Sequence, residues 1–167
     1  MKKRFLYLLT ISSLLSFGTV ITKPTLEVAS ATTVKQETRS VKMLVYKDSK
    51  NHKGRAKSIA RTFIGTKAKV ILKNGRVSQL VIHVNGTGNS MGKGQNVDKI
   101  VKSLTVNGVK GKKANVSADR SNFDFVFSGK AFKNNGWAKM KVTIDFGAKM
   151  TEPAWIKFGK VSKVSNR

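Results

Sequence analysis

The sequence predicts an all-β protein, an antiparallel β-sandwich with one short helix, and three observations support this prediction. Short runs of alternating apolar and polar residues recur from Val41 onward. Turn residues separate these runs at the spacing of an antiparallel sandwich, and the Asn-Gly pairs at 74–75 and 107–108 are strong hairpin signals. Only the segment 55–63 has apolar residues at helical spacing.

The first 31 residues have the pattern of a secretory signal peptide. Basic residues at 2–4 precede an apolar stretch over 5–21, and residues 29–31 read Ala-Ser-Ala, a small-residue cleavage pattern. We therefore expect a secreted, extracellular protein that begins near Thr32, with charge as its means of retention at the cell surface. The remaining length suits one domain.

The domain boundaries follow from periodicity. Residues 32–40 are polar without a repeat and are expected to form a flexible lead-in. The sandwich is expected over 41–162, and a basic tail over 163–167.

The chain is strongly basic, with 33 Lys and Arg against 8 Asp and Glu, a net charge of +25. Removal of the first 31 residues takes away four basic residues and one acidic residue and leaves +22. Such a surface attracts polyanions, and cell-wall polymers, lipid headgroups, nucleic acid and ligand carboxylates all remain open. The chain has no cysteine, which excludes disulfides, a thiolate nucleophile and Cys-based metal sites.

Each strand is predicted from a local alternation. The run 41–45 is followed by a hairpin of 68–73 with 76–84, in which Leu80, Ile82 and Val84 face the core. Further strands are predicted at 100–106, 114–118, 122–127, 137–146 and 154–161, with the stripe Phe123, Phe125 and Phe127 buried.

The segments between these strands complete the prediction. The helix over 55–63 presents Ile59, Ala60 and Phe63 on one face and ends before Gly65. Residues 147–153 are expected to be a loop, with Pro153 at the start of the last strand, where no ladder donor is needed.

Catalytic chemistry has few candidate residues. His52 and His83 lie in different segments, and the carboxylates do not follow the spacing of a metal site or a catalytic triad. Asp145 and Glu152 flank one hairpin, but salt bridges to lysines are the commoner role of such groups. We expect no enzyme activity and no catalytic residues.

The order of these segments resembles the near-iron-transporter (NEAT) domains of surface and secreted haem proteins of Gram-positive bacteria. The resemblance spans about 42–161. Its pieces are Leu-Val-Tyr-Lys at 44–47, the short helix at 57–63, the hairpin Ala-Lys-Val-Ile-Leu-Lys-Asn-Gly-Arg at 68–76, the strand Ile-Val-Lys-Ser-Leu-Thr-Val at 100–106 and the last hairpin at 142–158.

The resemblance implies an immunoglobulin-like sandwich that holds one haem between the short helix and the last hairpin. Ser58 falls where the family places a serine that bonds a haem propionate. Ile59 and Phe63 would then contact the macrocycle, and Trp155 would stack on a ring or pack against the protein.

The iron ligand departs from the family pattern. The family uses a tyrosine of a YxxxY pattern in the last strand, but Tyr46 is the only tyrosine after residue 31 and lies far upstream. Methionine also ligates haem iron. Met150 is therefore the candidate ligand, and Met91 in the Gly-rich loop is a second one.

Two functions follow from these predictions. The first is a secreted haem-binding or haem-transfer protein in iron acquisition, with host haemoproteins or other haem-relay proteins as further partners. The second is a NEAT-like adhesive module without haem that binds a host protein or an anionic cell-wall polymer through its basic surface. No specific nucleic acid is expected as a partner, because the lysines are spread over most strands and the sequence shows no obvious aromatic platform among them.

Overall fold

The computed structural model describes residues 34–47, 58–88 and 90–162. The predicted signal peptide and basic tail lie outside these residues. The described chain contains nine strands, two short α-helices and one 3₁₀ turn (Gly129–Ala131). The strands and α-helices are β1 (Gln36–Tyr46), α1 (Ala60–Ile64), β2 (Lys67–Lys73), β3 (Arg76–Asn85), α2 (Val97–Ile100), β4 (Val101–Val106), β5 (Val109–Lys110), β6 (Lys112–Ala114), β7 (Asn122–Ser128), β8 (Trp137–Asp145) and β9 (Lys149–Phe158).

The strands form two antiparallel layers that share β1. The continuous strand order is β5-β4-β8-β9-β1-β2-β3-β7-β6, and every pairing along it is antiparallel. The first part of β1, from Gln36 to Lys42, pairs with β2, whereas Met43–Tyr46 pairs with β9. We call β1, β2, β3, β7 and β6 the first sheet, and β5, β4, β8, β9 and β1 the second sheet. The predicted all-β antiparallel sandwich is confirmed.

The core lies where the inner faces of the two sheets meet. Phe123, Phe125 and Phe127 are at most 2% exposed, and the rings of Phe123 and Phe125 pack edge to face with centroids 5.1 Å apart. Leu80 and Ile82 on β3 pair directly with two of these rings and are fully buried. Each such side chain stabilises the fold by roughly 1.5–3 kcal/mol. The predicted inward faces of β3 and β7 are therefore confirmed.

Both Asn-Gly pairs form the predicted tight turns. Asn74 and Gly75 have φ of 50° and 76°, and Asn107 and Gly108 have φ of 50° and 80°. Two successive positive φ values match the twist of flanking strands, and Asn-Gly tolerates them well. These turns connect β2 to β3 and β4 to β5.

The first strand begins earlier than predicted. Residues 36–40 are paired with β2 and are not a flexible lead-in. The sequence hid this extension because Glu37 and Arg39 occupy positions that continue the inward face of Val41. There they form an ion pair with an Nε to Oε1 distance of 2.7 Å, so no apolar alternation is visible.

The last strand also begins earlier than predicted, because most of the expected loop 147–153 belongs to β9. Lys149 and Met150 are both exposed, which removed the alternation from this part of the sequence. Pro153 is accommodated inside the strand because the β1 ladder stops at the pair of Tyr46 with Trp155. The lengthened hairpin extends beyond the core.

Smaller differences concern the helices and β6. The described helix α1 covers only the end of the predicted segment 55–63, whose residues up to 57 lie outside the described chain. Gly65 follows it with φ of 62°, a conformation that suits glycine. One further helical turn, α2, precedes β4 with Val97 and Ile100 buried, so the prediction of one helix was incomplete. The strand predicted at 114–118 is found at Lys112–Ala114, and it ends before Asn115, which has a φ of 51°.

No helix within the described residues is long and apolar enough to cross a membrane.

Candidate functional site

A cleft opens between the start of α1 and the β8–β9 hairpin. Along β9 the inward-facing side chains are Met150, Glu152, Ala154, Ile156 and Phe158, as their shared parity requires. The last three are at most 3% exposed, whereas Met150 is 53% exposed. The inward face of the hairpin therefore continues past the core and becomes a wall of the cleft.

The cleft has a volume of about 620 Å³. Helix-side residues are Ser58, Ile59 and Thr62, the end of the first strand contributes Lys47, and the hairpin contributes Ile144, Met150, Thr151, Glu152 and Pro153. Such a volume lies within the range of small-molecule sites in proteins. The site thus combines aliphatic surface, one thioether, hydroxyls, one carboxylate and one ammonium.

Ser58 joins the helix to the hairpin. Its side chain is 2% exposed, and its Oγ accepts a hydrogen bond from the backbone N–H of Ala60 at 3.2 Å. The same hydroxyl donates to Oε2 of Glu152 at 3.4 Å, across 94 residues of sequence. The donated proton of Ser58 is therefore directed into the cleft, towards a carboxylate.

The structure brings together three of the predicted site residues. Ser58, Ile59 and Met150 all line the cleft. Met150 pairs across the hairpin with Ile144, which is 2% exposed and closes the floor beneath it. The backbone pairing fixes which face of the hairpin the Met150 thioether occupies.

The other predicted site residues lie elsewhere. Phe63 is 1% exposed in the core. Trp155 belongs to the opposite face of β9 from Met150, as the alternation of the strand requires. Met91 lies in the loop before α2, is 37% exposed, and is not among the residues that line the cleft.

Glu152 lines the cleft, although the sequence did not indicate it as a site residue. The sequence suggests a pair with Asp145, but the two carboxylates lie on opposite faces of the hairpin. Asp145 faces outward and its Oδ2 is 3.6 Å from Nζ of Lys102. The sequence does contain a signal for this position, because residues two apart in a strand lie on the same face. Glu152 therefore lies on the face of Met150 and Ala154.

Five side chains on the outer face of the second sheet form a second notable group, which we call the aromatic–basic face: Tyr46, Trp137, Lys139, Trp155 and Lys157. The rings of Tyr46 and Trp137 lie with centroids 5.7 Å apart. The ammonium of Lys139 lies 5.7 Å from the ring centroid of Trp155. The expectation that no aromatic platform lies among the lysines was therefore wrong, because three separate strands bring these residues together.

A second cleft, of about 540 Å³, lies beside α1 on the first sheet. His83 lines it, and its Nδ1 is 2.8 Å from Oδ1 of Asp124. Oδ2 of Asp124 accepts a hydrogen bond from Asn115 at 2.8 Å, so the carboxylate is held from both sides. Among the described residues, no group of three or more His, Cys, Asp or Glu residues has the arrangement of a metal site.

Comparison with known proteins supports the fold. No protein-family model and no curated protein sequence matches this chain. The structure is similar to the fifth NEAT domain of IsdX2, a Bacillus anthracis haemophore, solved in complex with haem, with a TM-score of 0.55 and 14% identity over 74% of this chain and 96% of that one. A single-residue variant of the same domain, also in complex with haem, gives a TM-score of 0.55 and 15% identity over 74% and 95% of the two chains. The resemblance inferred from the sequence is therefore confirmed at the level of the fold.

Proposed function

We propose that the chain is a secreted haem-binding protein that takes up or transfers haem in iron acquisition, and that the cleft between α1 and the β8–β9 hairpin holds the haem. One observation carries the proposal. In a sandwich shared with two haem-bound NEAT structures, the cleft brings an aliphatic surface, a methionine thioether and a buried serine hydroxyl together.

The residues present fit the chemistry of haem. Ile59, Ile144 and Pro153 offer apolar surface to a flat macrocycle. Lys47 at the end of the first strand and the hydroxyl of Ser58 suit propionate carboxylates, because charge-assisted hydrogen bonds to carboxylates are strong. The cleft volume of about 620 Å³ suits a ligand of this class that remains partly exposed.

Met150 is the proposed iron ligand. Thioether sulfur is a soft donor that ligates haem iron, and Met150 is the only methionine among the described residues that line the cleft. Its 53% exposure leaves the residue open to solvent. Bound haem would supply an iron centre for transfer to a partner, whereas the protein supplies the walls, the ligand and the hydrogen bonds.

Glu152 would compete with a haem propionate for the hydrogen bond that the Ser58 hydroxyl donates. Its carboxylate accepts a hydrogen bond from the Ser58 hydroxyl, so a propionate at this position would replace Glu152 as the acceptor. Two carboxylates near one hydroxyl repel each other. We infer that Glu152 weakens haem binding and favours release, which suits a transfer protein more than a storage protein.

The remaining predicted contacts have smaller parts in this proposal. Met91 as a second ligand stays a prediction that requires its loop to approach the cleft. Phe63 is buried in the core and would support the site only indirectly, through α1. Trp155 lies on the wrong face of β9 for haem stacking and has no part in the haem site.

A haem titration followed by visible absorption tests the proposal. We expect a saturable one-to-one Soret band, and weaker binding for Ser58→Ala because the propionate loses a hydrogen-bond donor. Ser78→Ala is a matched control, because that part-buried hydroxyl donates to the backbone carbonyl of Ile71 on the first sheet at 3.0 Å and neither residue lines the cleft. Absence of saturable binding by the folded protein would remove the haem function.

The charge favours a second candidate function, an adhesive module without haem. Lys42 and Lys67 face each other directly across β1 and β2, where like charges destabilise a sheet. The adjacent Lys69 and Lys73 extend this outer face of the first sheet. Few of these charges are near the cleft, so haem does not account for them. An anionic cell-wall polymer or an acidic host protein would account for these charges.

Retention on cell walls separates this candidate from haem binding. Retention through the lysines should fall steeply as salt increases, and Lys67→Glu should weaken it further. Retention that is insensitive to salt would contradict the second candidate.

A further inference from the structure

The aromatic–basic face is built by residues far apart in sequence. Tyr46 ends β1, Trp137 begins β8 and Trp155 lies in β9, yet all three are on the solvent side of the second sheet. Trp155 pairs directly with both Tyr46 and Lys139, and Lys157 pairs directly with Trp137. All three rings are only partly buried. They are packed side by side but keep surface exposed to solvent.

Lysine ammoniums lie close to the ring faces. Nζ of Lys139 is 5.7 Å from the Trp155 ring centroid, and Nζ of Lys157 is 5.9 Å from the Trp137 ring centroid. These distances are at the outer limit of cation–π attraction. Lys157 also donates to the backbone carbonyl of Asn135 at 2.6 Å, which fixes its position beside the rings. Each of the two tryptophan rings thus lies beside a positive charge that can contact a neighbouring anion.

Charge selects the class of ligand. Lys141 continues the row beyond Lys139, and among the described outward positions of β8 and β9 the only carboxylate is Asp145, at the far end of the hairpin. Asp145 already pairs with Lys102. Sugars would need several acceptors as well as donors for their hydroxyls, whereas the side-chain acceptors at the described outward positions of Tyr46, β8 and β9 are three hydroxyls, on Tyr46, Thr143 and Thr151, and the already paired Asp145. Phosphates with flat bases need only these two features.

We propose that the aromatic–basic face, extended by Lys141, binds single-stranded nucleic acid. Tyr46, Trp137 and Trp155 stack on bases, and the lysines contact the phosphates. Binding is tolerant of sequence because every base has a stacking surface and the face has few groups that read base edges. This site is independent of the haem proposal, because it lies on the opposite side of β9 from Met150.

Fluorescence anisotropy of a labelled oligothymidylate of about 15 nucleotides, a length matched to small single-strand sites, measures this binding directly. We expect the double variant Trp137→Ala/Trp155→Ala to bind roughly 10- to 100-fold more weakly, because each lost stack weakens binding severalfold or more. Phenylalanine at both positions should restore most of the affinity, since a ring remains. The loss of two phosphate contacts in Lys139→Ala/Lys141→Ala would lower the slope of log affinity against log salt concentration by about 1.4.

Two controls isolate the face. Lys67→Ala/Lys69→Ala removes equal charge from the first sheet and should have little effect, whereas Lys139→Ala/Lys141→Ala should weaken binding strongly. Met150→Leu alters the cleft and should bind the oligonucleotide normally, so failure of the haem proposal leaves this result unchanged. Circular dichroism checks that each variant is folded. If the tryptophan-to-alanine variant unfolds, the phenylalanine and lysine variants still test whether this face binds the oligonucleotide.

Three results would overturn the proposal. Equal binding of duplex DNA with no effect of the tryptophan variants would show attraction by charge alone. Tryptophan-dependent binding of hyaluronate without binding of the oligonucleotide would identify an anionic glycan site. Greater loss in the first-sheet control than in Lys139→Ala/Lys141→Ala would place the polyanion on the other sheet.

Discussion

Replacement of Met150 by leucine separates iron ligation from packing. Leucine keeps the apolar volume of methionine and removes its sulfur, so the cleft wall is preserved while the proposed ligand is lost. Because Met150 is 53% exposed and lies beyond the core, the free energy of unfolding should change by less than about 0.5 kcal/mol. Ile144, its partner across the hairpin, is 2% exposed, and Ile144→Ala should cost roughly 2–5 kcal/mol.

Met150→Leu should have a large effect on haem binding, in contrast to its small effect on stability. We expect Met150→Leu to weaken haem binding by at least about tenfold, because even the removal of groups that support a metal ligand costs this much. The Soret band should move as well, since the axial ligand sets the electronic state of the iron. Met150→His should restore a ligated spectrum, because imidazole also binds haem iron.

The assay is a haem titration followed at the Soret band, with urea unfolding of the same samples. Met140→Leu is the matched control, because Met140 is a β8 methionine that is 1% exposed in the core and should leave the spectrum unchanged. The reasoning would be refuted if Met150→Leu kept both the affinity and the spectrum of the unmodified protein. A change in Met140→Leu would show that the spectrum reports packing.

Four further outcomes are expected. Glu152→Gln should strengthen haem binding severalfold, since it removes a negative charge beside the Ser58 hydroxyl, and weaker binding in the same titration would contradict the competition proposed there. Phe125→Ala should lower the free energy of urea unfolding by about 3–5 kcal/mol, because Phe125 is 1% exposed. Gly111→Ala should cost about 1–3 kcal/mol in the same assay, because its Cβ would lie 2.7 Å from the Phe127 ring, and an unchanged midpoint would mean that the ring gives way. Hydrogen bonds from Ser117 and then Ser121 lower the pKa of Asp119 from its ordinary 3.8 to about 2, so its stabilising effect is present above about pH 4 and is lost as the pH falls to 2. Asp119→Asn should therefore be less stable than the unmodified protein at neutral pH, and the difference should disappear between pH 4 and 2; a constant difference across that window would refute the assignment.

Local patterns in the sequence determine most of the sandwich. The alternations in β3, β7 and β8 have a period of two, so burial of one face follows from the sequence alone. The two Asn-Gly turns are equally determined, because the positive φ that they require is a local property of these residues. The positions of Ser58, Ile59 and Met150 beside one another follow from the resemblance and agree with the cleft geometry.

Pairing between distant strands decides what the sequence leaves open. The start of β1 and the tip of β9 show no alternation of apolar and polar residues. These segments are identified as strands only by their backbone pairing with β2 and β8. The contact of Ser58 with Glu152 spans 94 residues, and the register that places Glu152 there depends on the whole hairpin.

The aromatic–basic face is likewise determined partly by local sequence and partly by the pairing of distant strands. Parity within each strand places Trp137 with Lys139 and Trp155 with Lys157 on outward faces. The convergence of β1, β8 and β9, which brings Tyr46 within 5.7 Å of Trp137, required the tertiary structure. A sequence determines which face of a strand is apolar because side chains alternate locally, but only the folded chain determines which strands are neighbours, because that choice minimises the free energy of the entire core.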